Sequence, residues 1–206
     1  RMNIVILAAG IGRRMKSALP KVLHNICGKP MICHVFDTIA TFKESNIVVV
    51  VPPNGTEIEN TVRQFTRPKF KPKFAIQEKP LGTGDALKSA TPFLKINQPT
   101  LILFGDVPLV SNQSLKRFAK NFAKNSCFRI LTTKIEKPKG YGRIIRNNRK
   151  EILLIREEAD ASTKEKRIVE IFAGPMLINT RVLKRLIQEL KQNNKQNEFY
   201  LTDLVA

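Results

Sequence analysis

Two stretches, Asn3–Ala9 and Asn46–Val51, are unbroken runs of apolar, largely β-branched residues. A strand with no polar face must be covered on both sides, as strands of parallel sheets are. Between the two, Met31, Ile32, Val35, Phe36, Ile39 and Ala40 fall on one helical face, with Pro30 suited to a first turn. This alternation predicts helices laid over a mostly parallel sheet. Lys73–Gln77 and Thr100–Gly105 read as two further strands. Helical spacing returns in Leu115, Phe118, Ala119, Phe122 and Ala123 after Ser111, and in Val182, Leu183, Leu186, Ile187 and Leu190 after Thr180. Beyond Phe128 the pattern loosens. Phe128–Ile135 predicts a strand, Gly142–Arg146 with Ile152–Arg156 a hairpin across Asn147-Asn148, and Glu170–Asn179 a long strand. The expectation is one α/β domain over residues 1–206, with an irregular, β-rich second half that covers the site.

Composition narrows the class. A chain of 206 residues with 42% hydrophobic content is long enough to bury a core. No apolar run approaches the ~20 residues that span a bilayer, and Ile4–Ala9 is too short for a signal peptide. No membrane partner is expected. Cys27, Cys33 and Cys127 are widely spaced and outside any metal-ligand pattern, which fits free thiols in the cytoplasm. The net charge is +19, and Lys116–Lys150 carries twelve Lys or Arg against one acid, Glu136. Such charge suits solvated outer faces, steering of a polyanionic substrate, or nucleic acid. These cations are interrupted by core-type residues, with no arginine-rich tail and no Trp. No specific nucleic-acid partner is therefore expected.

In open α/β sheets ligands bind beyond the carboxyl ends of the strands. There the first strand delivers Ala8-Ala9-Gly10-Ile11-Gly12-Arg13-Arg14, the second Pro52-Pro53-Asn54-Gly55, the third Gln77 and the fourth Gly105-Asp106. Gly10 and Gly12 allow close backbone approach to phosphate oxygens, and Arg13, Arg14, Lys16 and Lys21 add cations nearby. A dinucleotide fingerprint would need Gly where Met15 stands, and a P-loop would need Ser or Thr where Pro30 stands. Asp106 suits magnesium, which takes one or two carboxylates plus substrate phosphates, or it caps a turn. Leu81–Ala86 opens a helix, whose amides and Thr83 hydroxyl suit an anion or base edge, or simple capping. His24 and His34 read as structural.

Taken in order, Leu7–Ser17, Leu19-Pro20-Lys21-Val22-Leu23-His24 and Gly28-Lys29-Pro30-Met31 form an extended signature that resembles the nucleotide-sugar pyrophosphorylases. The Pro-Lys-Val-Leu-His form is similar to the bifunctional N-acetylglucosamine-1-phosphate uridylyltransferase/glucosamine-1-phosphate acetyltransferase family. Gln77, Leu81–Gly84, Gly105–Leu109, Gly140–Ile144, Glu157 and Tyr200–Asp203 follow in register, so the resemblance runs through essentially the whole chain. It implies a Rossmann-like nucleotidyltransferase fold and magnesium-dependent transfer of UMP from UTP to N-acetylglucosamine 1-phosphate. Pyrophosphate would be released, and the product would serve cell-wall precursor synthesis.

The resemblance also implies roles. Leu7, Ala8, Ala9 and Gly10 contact uracil and ribose, with Gln77, Gly82 and Thr83 completing nucleotide recognition. Arg14 and Lys21 hold the phosphates, Asp106 the magnesium, and Gly142 and Glu157 the sugar. Several positions depart from the pattern. Phe172 stands where the family has a sugar-contacting Asn, Ala173 where a hydroxyl residue is usual, Phe104 where Tyr is common and Asp85 where His is common. The family's second magnesium ligand, an Asn, falls outside these residues. So does its acetyltransferase β-helix, through which homo-oligomers would form. The alternatives are a related enzyme for another sugar or base, a non-catalytic nucleotide-sugar-binding subunit, and a nucleic-acid binder.

Overall fold

β1 (Asn3–Leu7) is paired in parallel on both edges, with β4 (Asn46–Val51) on one side and β6 (Pro99–Phe104) on the other. The computed structural model describes residues 1–10, 12, 15–66, 70–122 and 126–205. β5 (Lys73–Ile76) extends the parallel set beyond β4. On the far side of β6 the sheet turns antiparallel through β10 (Glu170–Asn179), then β8 (Arg143–Arg146) and β9 (Ile152–Arg156). β7 (Phe128–Lys134) pairs with β10, giving an eight-stranded mixed sheet. β2 (Asn25–Ile26) and β3 (Lys29–Pro30) form a separate small hairpin.

Both faces of β1 and β4 are covered, as their lack of a polar face requires. Ile4, Ile6, Val49 and Val51 pack under Ile32, Val35 and Phe36 of α1 (Met31–Thr38), Ile58 and Val62 of α2 (Thr56–Thr66), and Leu115 and Phe118 of α4 (Asn112–Ala119). Val5, Val48 and Val50 face Ala86, Leu87 and Ala90 of α3 (Thr83–Ala90) and Leu183 of α5 (Thr180–Leu186). Ser111 caps α4 by accepting from the Ser114 amide at 3.1 Å, and Asn179 caps α5 by accepting from Arg181. α5 stops at Leu186, so Leu190 packs onto the core from beyond the helix. Ala123, expected on the α4 face, lies outside the described residues. α2 is a helix that the apolar spacing does not name, because its buried stripe is only Ile58, Val62 and Thr66.

β10 breaks its pairing with β7 between Phe172 and Met176. Gly174 sits in that break at φ +107°, a conformation costly for any residue with a Cβ. On its other edge, Met176–Asn179 runs along β6 while Ile171 pairs with β8. The bulge therefore lies beside the end of β6, where Asp106 emerges.

Candidate functional site

The carboxyl end of β1 is held to both its neighbours: the Gly105 amide, just past β6, donates to Leu7 O at 2.8 Å, and the Ala8 amide donates to Val50 O of β4 at 2.8 Å. A side chain at Gly105 would be tight, since a Cβ there would lie 3.0 Å from Val22 and 3.2 Å from Leu7 O. Asp106 thus leaves the sheet from a fixed point. Lys21 arrives by a different route. It opens a single 3₁₀ turn, Lys21–Leu23, whose Val22 and Leu23 are buried in the core, so the lysine is turned toward the strand ends. Lys21 Nζ lies 2.7 Å from Asp106 Oδ2, with each side chain about one-third exposed (33% and 32%). Gly12, at φ +62°, permits this approach, because a Cβ would stand 2.8 Å from Lys21 Cβ. Gly10 does not need positive φ. A Cβ there would meet nothing within 4 Å, so its missing side chain leaves open space above the loop.

That space belongs to a cavity of about 430 Å³ at the strand ends, a size suited to a small-molecule ligand. Leu7, Ala9, Gly10 and Gly12 form one wall, Lys21 and Asp106 the charged end, and Gln77, Gly82 and Thr83 a further side. Ala8 is buried beneath the loop instead. Arg14, expected at the phosphates, lies outside the described residues, with Ile11 and Arg13. Gln77 is held by donating from Nε2 to Gly82 O at 3.0 Å and to Asp85 Oδ2 at 2.9 Å. Asp85 thereby orients the amide.

The Leu81–Ala86 segment opens a helix, as expected, but its polar groups serve a different partner. The Gly84 amide donates to Phe199 O at 2.7 Å, Phe199 N donates to Leu81 O at 2.8 Å, and Thr83 Oγ1 accepts from Leu201 N at 3.0 Å. A Cβ on Gly82 would stand 2.6 Å from Phe199 O, and one on Gly84 2.6 Å from Leu190. Both glycines therefore admit a strap of chain, residues 194–201, against the mouth of α3. Gln196 and Glu198 of that strap line the cavity, as do Phe104, Val22, Pro80 and Ala86. Sequence reasoning missed the strap residues. Only the Tyr200–Asp203 motif marked that region.

Gly142 and Glu157 stand apart from the cavity wall but beside each other. A Cβ on Gly142 would lie 3.6 Å from Glu157 Oε1. The segments that carry them are clamped by the next residues in each case. Arg143, 1% exposed, is 2.7 Å from Glu158 Oε2 and also donates to Tyr141 O, while Glu158 accepts from the Gly140 amide at 3.1 Å. Only the arginine of this pair is enclosed; Glu158 reaches solvent, with its side chain 31% exposed. Burial is the main influence pushing the Glu157 carboxyl above its ordinary range, and the charges of Asp203, Asp160 and Glu198 add to it; the 2.9 Å bond from Thr202 Oγ1 opposes them. Phe172 is not presented to the cavity. It is buried (9% exposed), with its ring edge-on to Phe104 at 6.2 Å, so it backs the cavity wall from behind.

His34 Nε2 lies 2.8 Å from Ile26 O, a contact that ties α1 to β2. Cys27, Cys33 and Cys127 are free thiols, and burial pushes Cys33 up to about 11. No helix among the described residues is long and apolar enough to cross a membrane.

The MobA-like NTP transferase domain family matches residues 4–201. The chain is 43% identical over 204 residues to the bifunctional protein GlmU of Paraburkholderia phymatum and 44% identical to that of Burkholderia orbicola. In both cases 99% of this chain is covered and 44% of the relative, so the chain spans less than half the length of these proteins. In fold it is similar to a glucose-1-phosphate thymidylyltransferase from Bacillus anthracis (described as putative, in complex with a sucrose), with a TM-score of 0.77 at 20% identity over 99% of this chain and 81% of that one. A UDP-glucose pyrophosphorylase complexed with UDP-glucose superposes with a TM-score of 0.76 at 19% identity over 98% and 84% of the two chains.

Proposed function

We infer, for a chain that belongs to the MobA-like NTP transferase family and is a nucleotidyltransferase, that it transfers UMP from UTP to N-acetylglucosamine 1-phosphate. The products are UDP-N-acetylglucosamine, for peptidoglycan and lipopolysaccharide synthesis in the cytoplasm, and pyrophosphate. The observation that carries this reading is the Lys21–Asp106 pair at the charged end of the cavity. It offers a cation for phosphate oxygens and a hard oxygen donor for a divalent ion, side by side. A pair this exposed contributes only about 0–1 kcal/mol, so substrate can separate its members at little cost. The choice of uridine and N-acetylglucosamine is this reading's own, drawn from the motif resemblance and supported by the match to GlmU relatives over nearly all of this chain.

In this reading a sugar-phosphate oxygen attacks the α-phosphorus of UTP. The new phosphoanhydride bond forms as the bond to the β-phosphate breaks, and pyrophosphate departs with that electron pair. Leu7, Ala9 and Gly10 bind the nucleoside, and the Gly10 opening lets phosphate approach the backbone. Gln77, fixed by Asp85, faces the base. Lys21 neutralises the phosphates, joined by Arg14. Gly142 and Glu157 hold the sugar. Catalysis is then positioning plus charge neutralisation, with no covalent enzyme intermediate.

Asp106 fits magnesium, which binds through one or two protein carboxylates and completes its shell with water and phosphate oxygens. Among the described residues no group of three or more His, Cys, Asp or Glu could hold a metal ion, and in this reading Asp106 shares the ion with water and the triphosphate. When bound, the ion supplies charge stabilisation at the phosphates.

A screen of nucleoside triphosphates against sugar 1-phosphates, read by pyrophosphate release, tests the reading. UTP with N-acetylglucosamine 1-phosphate is expected to be the best pair. A clear preference for another hexose phosphate would overturn the choice of sugar.

A further inference from the structure

The cavity wall formed by the strap carries a carboxylate of its own, set apart from the Lys21–Asp106 pair. Glu198 is half-buried there, and among the described residues its carboxylate has no hydrogen-bond or ion-pair partner. Its backbone, by contrast, is fixed on every side. Glu198 N donates to Asn194 Oδ1 at 3.1 Å, and Asn194 Nδ2 donates back to Glu198 O at 2.6 Å. The following residue, Phe199, is bonded in both directions to Leu81 and Gly84. A Cβ on Gly82 would stand only 2.9 Å from Glu198 Cβ, so the glycine is what lets this side chain stand at the cavity. A rigid backbone carrying an unengaged carboxylate into a ligand cavity is a preorganised acceptor.

Charge decides what it can accept. A second anion beside it is repelled, so phosphates belong at the Lys21 end. Hydroxyl groups are donors, and a carboxylate with two oxygens can take two of them at once. We propose that Glu198 is a specificity-determining residue that reads a vicinal hydroxyl pair of the substrate, on either the ribose or the hexose. This rests on the nucleotide-sugar reading above.

Calorimetry on the whole chain with UDP and with UDP-N-acetylglucosamine, for wild type, Glu198→Gln and Glu198→Asp, separates the two sources. A hydrogen bond to a charged acceptor, when lost, weakens binding by about ten- to a hundredfold. If the hexose is read, Glu198→Gln loses that much affinity for UDP-N-acetylglucosamine and none for UDP. If the ribose is read, both weaken alike, and 2′- or 3′-deoxy-UDP binds wild type and variant equally. Glu198→Asp, which keeps the charge on a shorter stem, is expected to fall between, and melting temperatures should agree throughout. Unchanged affinity for both ligands overturns the inference. So does tighter binding of both to Glu198→Gln, which would make the carboxylate a repulsive wall. If wild type binds neither uridine ligand, the uridylyltransferase reading fails by itself. The same comparison, made with the nucleoside diphosphate and nucleotide sugar selected by the substrate screen, then decides Glu198.

Discussion

Lys21 and Asp106 neutralise each other, and in the proposed reaction each is needed elsewhere once a triphosphate binds. Because the pair adds about 0–1 kcal/mol, Lys21→Ala is expected to keep its melting temperature within about 4 °C. Its affinity for UTP should fall about tenfold or more, as loss of a charge-assisted contact requires. Parallel loss of both would make Lys21 a structural lysine. Asp106→Asn keeps the shape and can still accept from Lys21, so it isolates the charge. Calorimetry with and without magnesium should show that the ion strengthens UTP binding to wild type and adds little in the variant. Glu157 carries a different liability. Its carboxyl is held above its ordinary range chiefly by burial, so the folded state keeps a proton that the unfolded chain releases sooner. Stability from this group is therefore full at low pH and is lost as pH rises through the window between the ordinary and the raised value. Glu157→Gln removes the titration but leaves an oxygen for Thr202. Thermal melts should show the variant gaining on wild type as pH climbs through that window, while its affinity for sugar phosphate drops. A difference independent of pH would contradict this assignment.

Among the elements, β10 explains why a position in register with a sugar-binding residue is apolar. Phe172 is the last residue before the bulge, and it packs edge-on against Phe104 instead of opening to the cavity. Phe172→Asn would bury an amide and leave a void, a change expected to cost about 3 kcal/mol or more. In the folded fraction, the preference for N-acetylglucosamine 1-phosphate over glucose 1-phosphate should stay close to that of wild type, because the position is turned away from the cavity. A raised ratio of kcat/KM values would show that position 172 reaches the sugar. The strap gives a second element-scale test. Gly84→Ala forces a methyl to within 2.6 Å of Leu190 and 2.9 Å of Phe199 O, an overpacking worth about 1–3 kcal/mol. Hydrogen exchange should reveal faster opening at Phe199 and Leu201 while the β1 and β4 amides keep their protection. Elements with a dense local pattern were legible in the sequence: Asn46–Val51 and Glu170–Asn179 form strands to the residue. The convergence of Gly10, Gln77 and Asp106 was legible too, because parallel strands put their carboxyl ends on one edge. The strap was not. Its contacts join Leu201 to Thr83 across a sequence separation of 118 residues, and nothing local in either segment encodes such a meeting. The burial of Phe172 was hidden for the same reason, since its partner Phe104 lies on another strand.

At the scale of the whole molecule, the net charge of +19 sets a field that a polyanionic nucleotide meets before any contact is made. Association of UTP is expected to be fast at low ionic strength and to slow steeply as salt screens that field, which stopped-flow measurements across a salt series would detect. Dissociation should change far less. A rate indifferent to salt would mean that the positive charges are spread too evenly to steer. The strap has one more consequence, and it concerns the order of events during synthesis. Strands β1, β4, β5 and β6 and the helices between them are all complete by Phe104, and a nascent chain folds from its amino end as it emerges. The cavity, however, has no wall at Glu198 until residues 194–201 have emerged, because the residues that close it onto α3 are Phe199 and Leu201. A partly made chain can therefore possess the sheet, the glycine loop and the lysine while lacking the complete enclosure for a nucleotide sugar. Full ligand binding waits on the docking of the strap onto α3, a step separate from and later than formation of the parallel sheet.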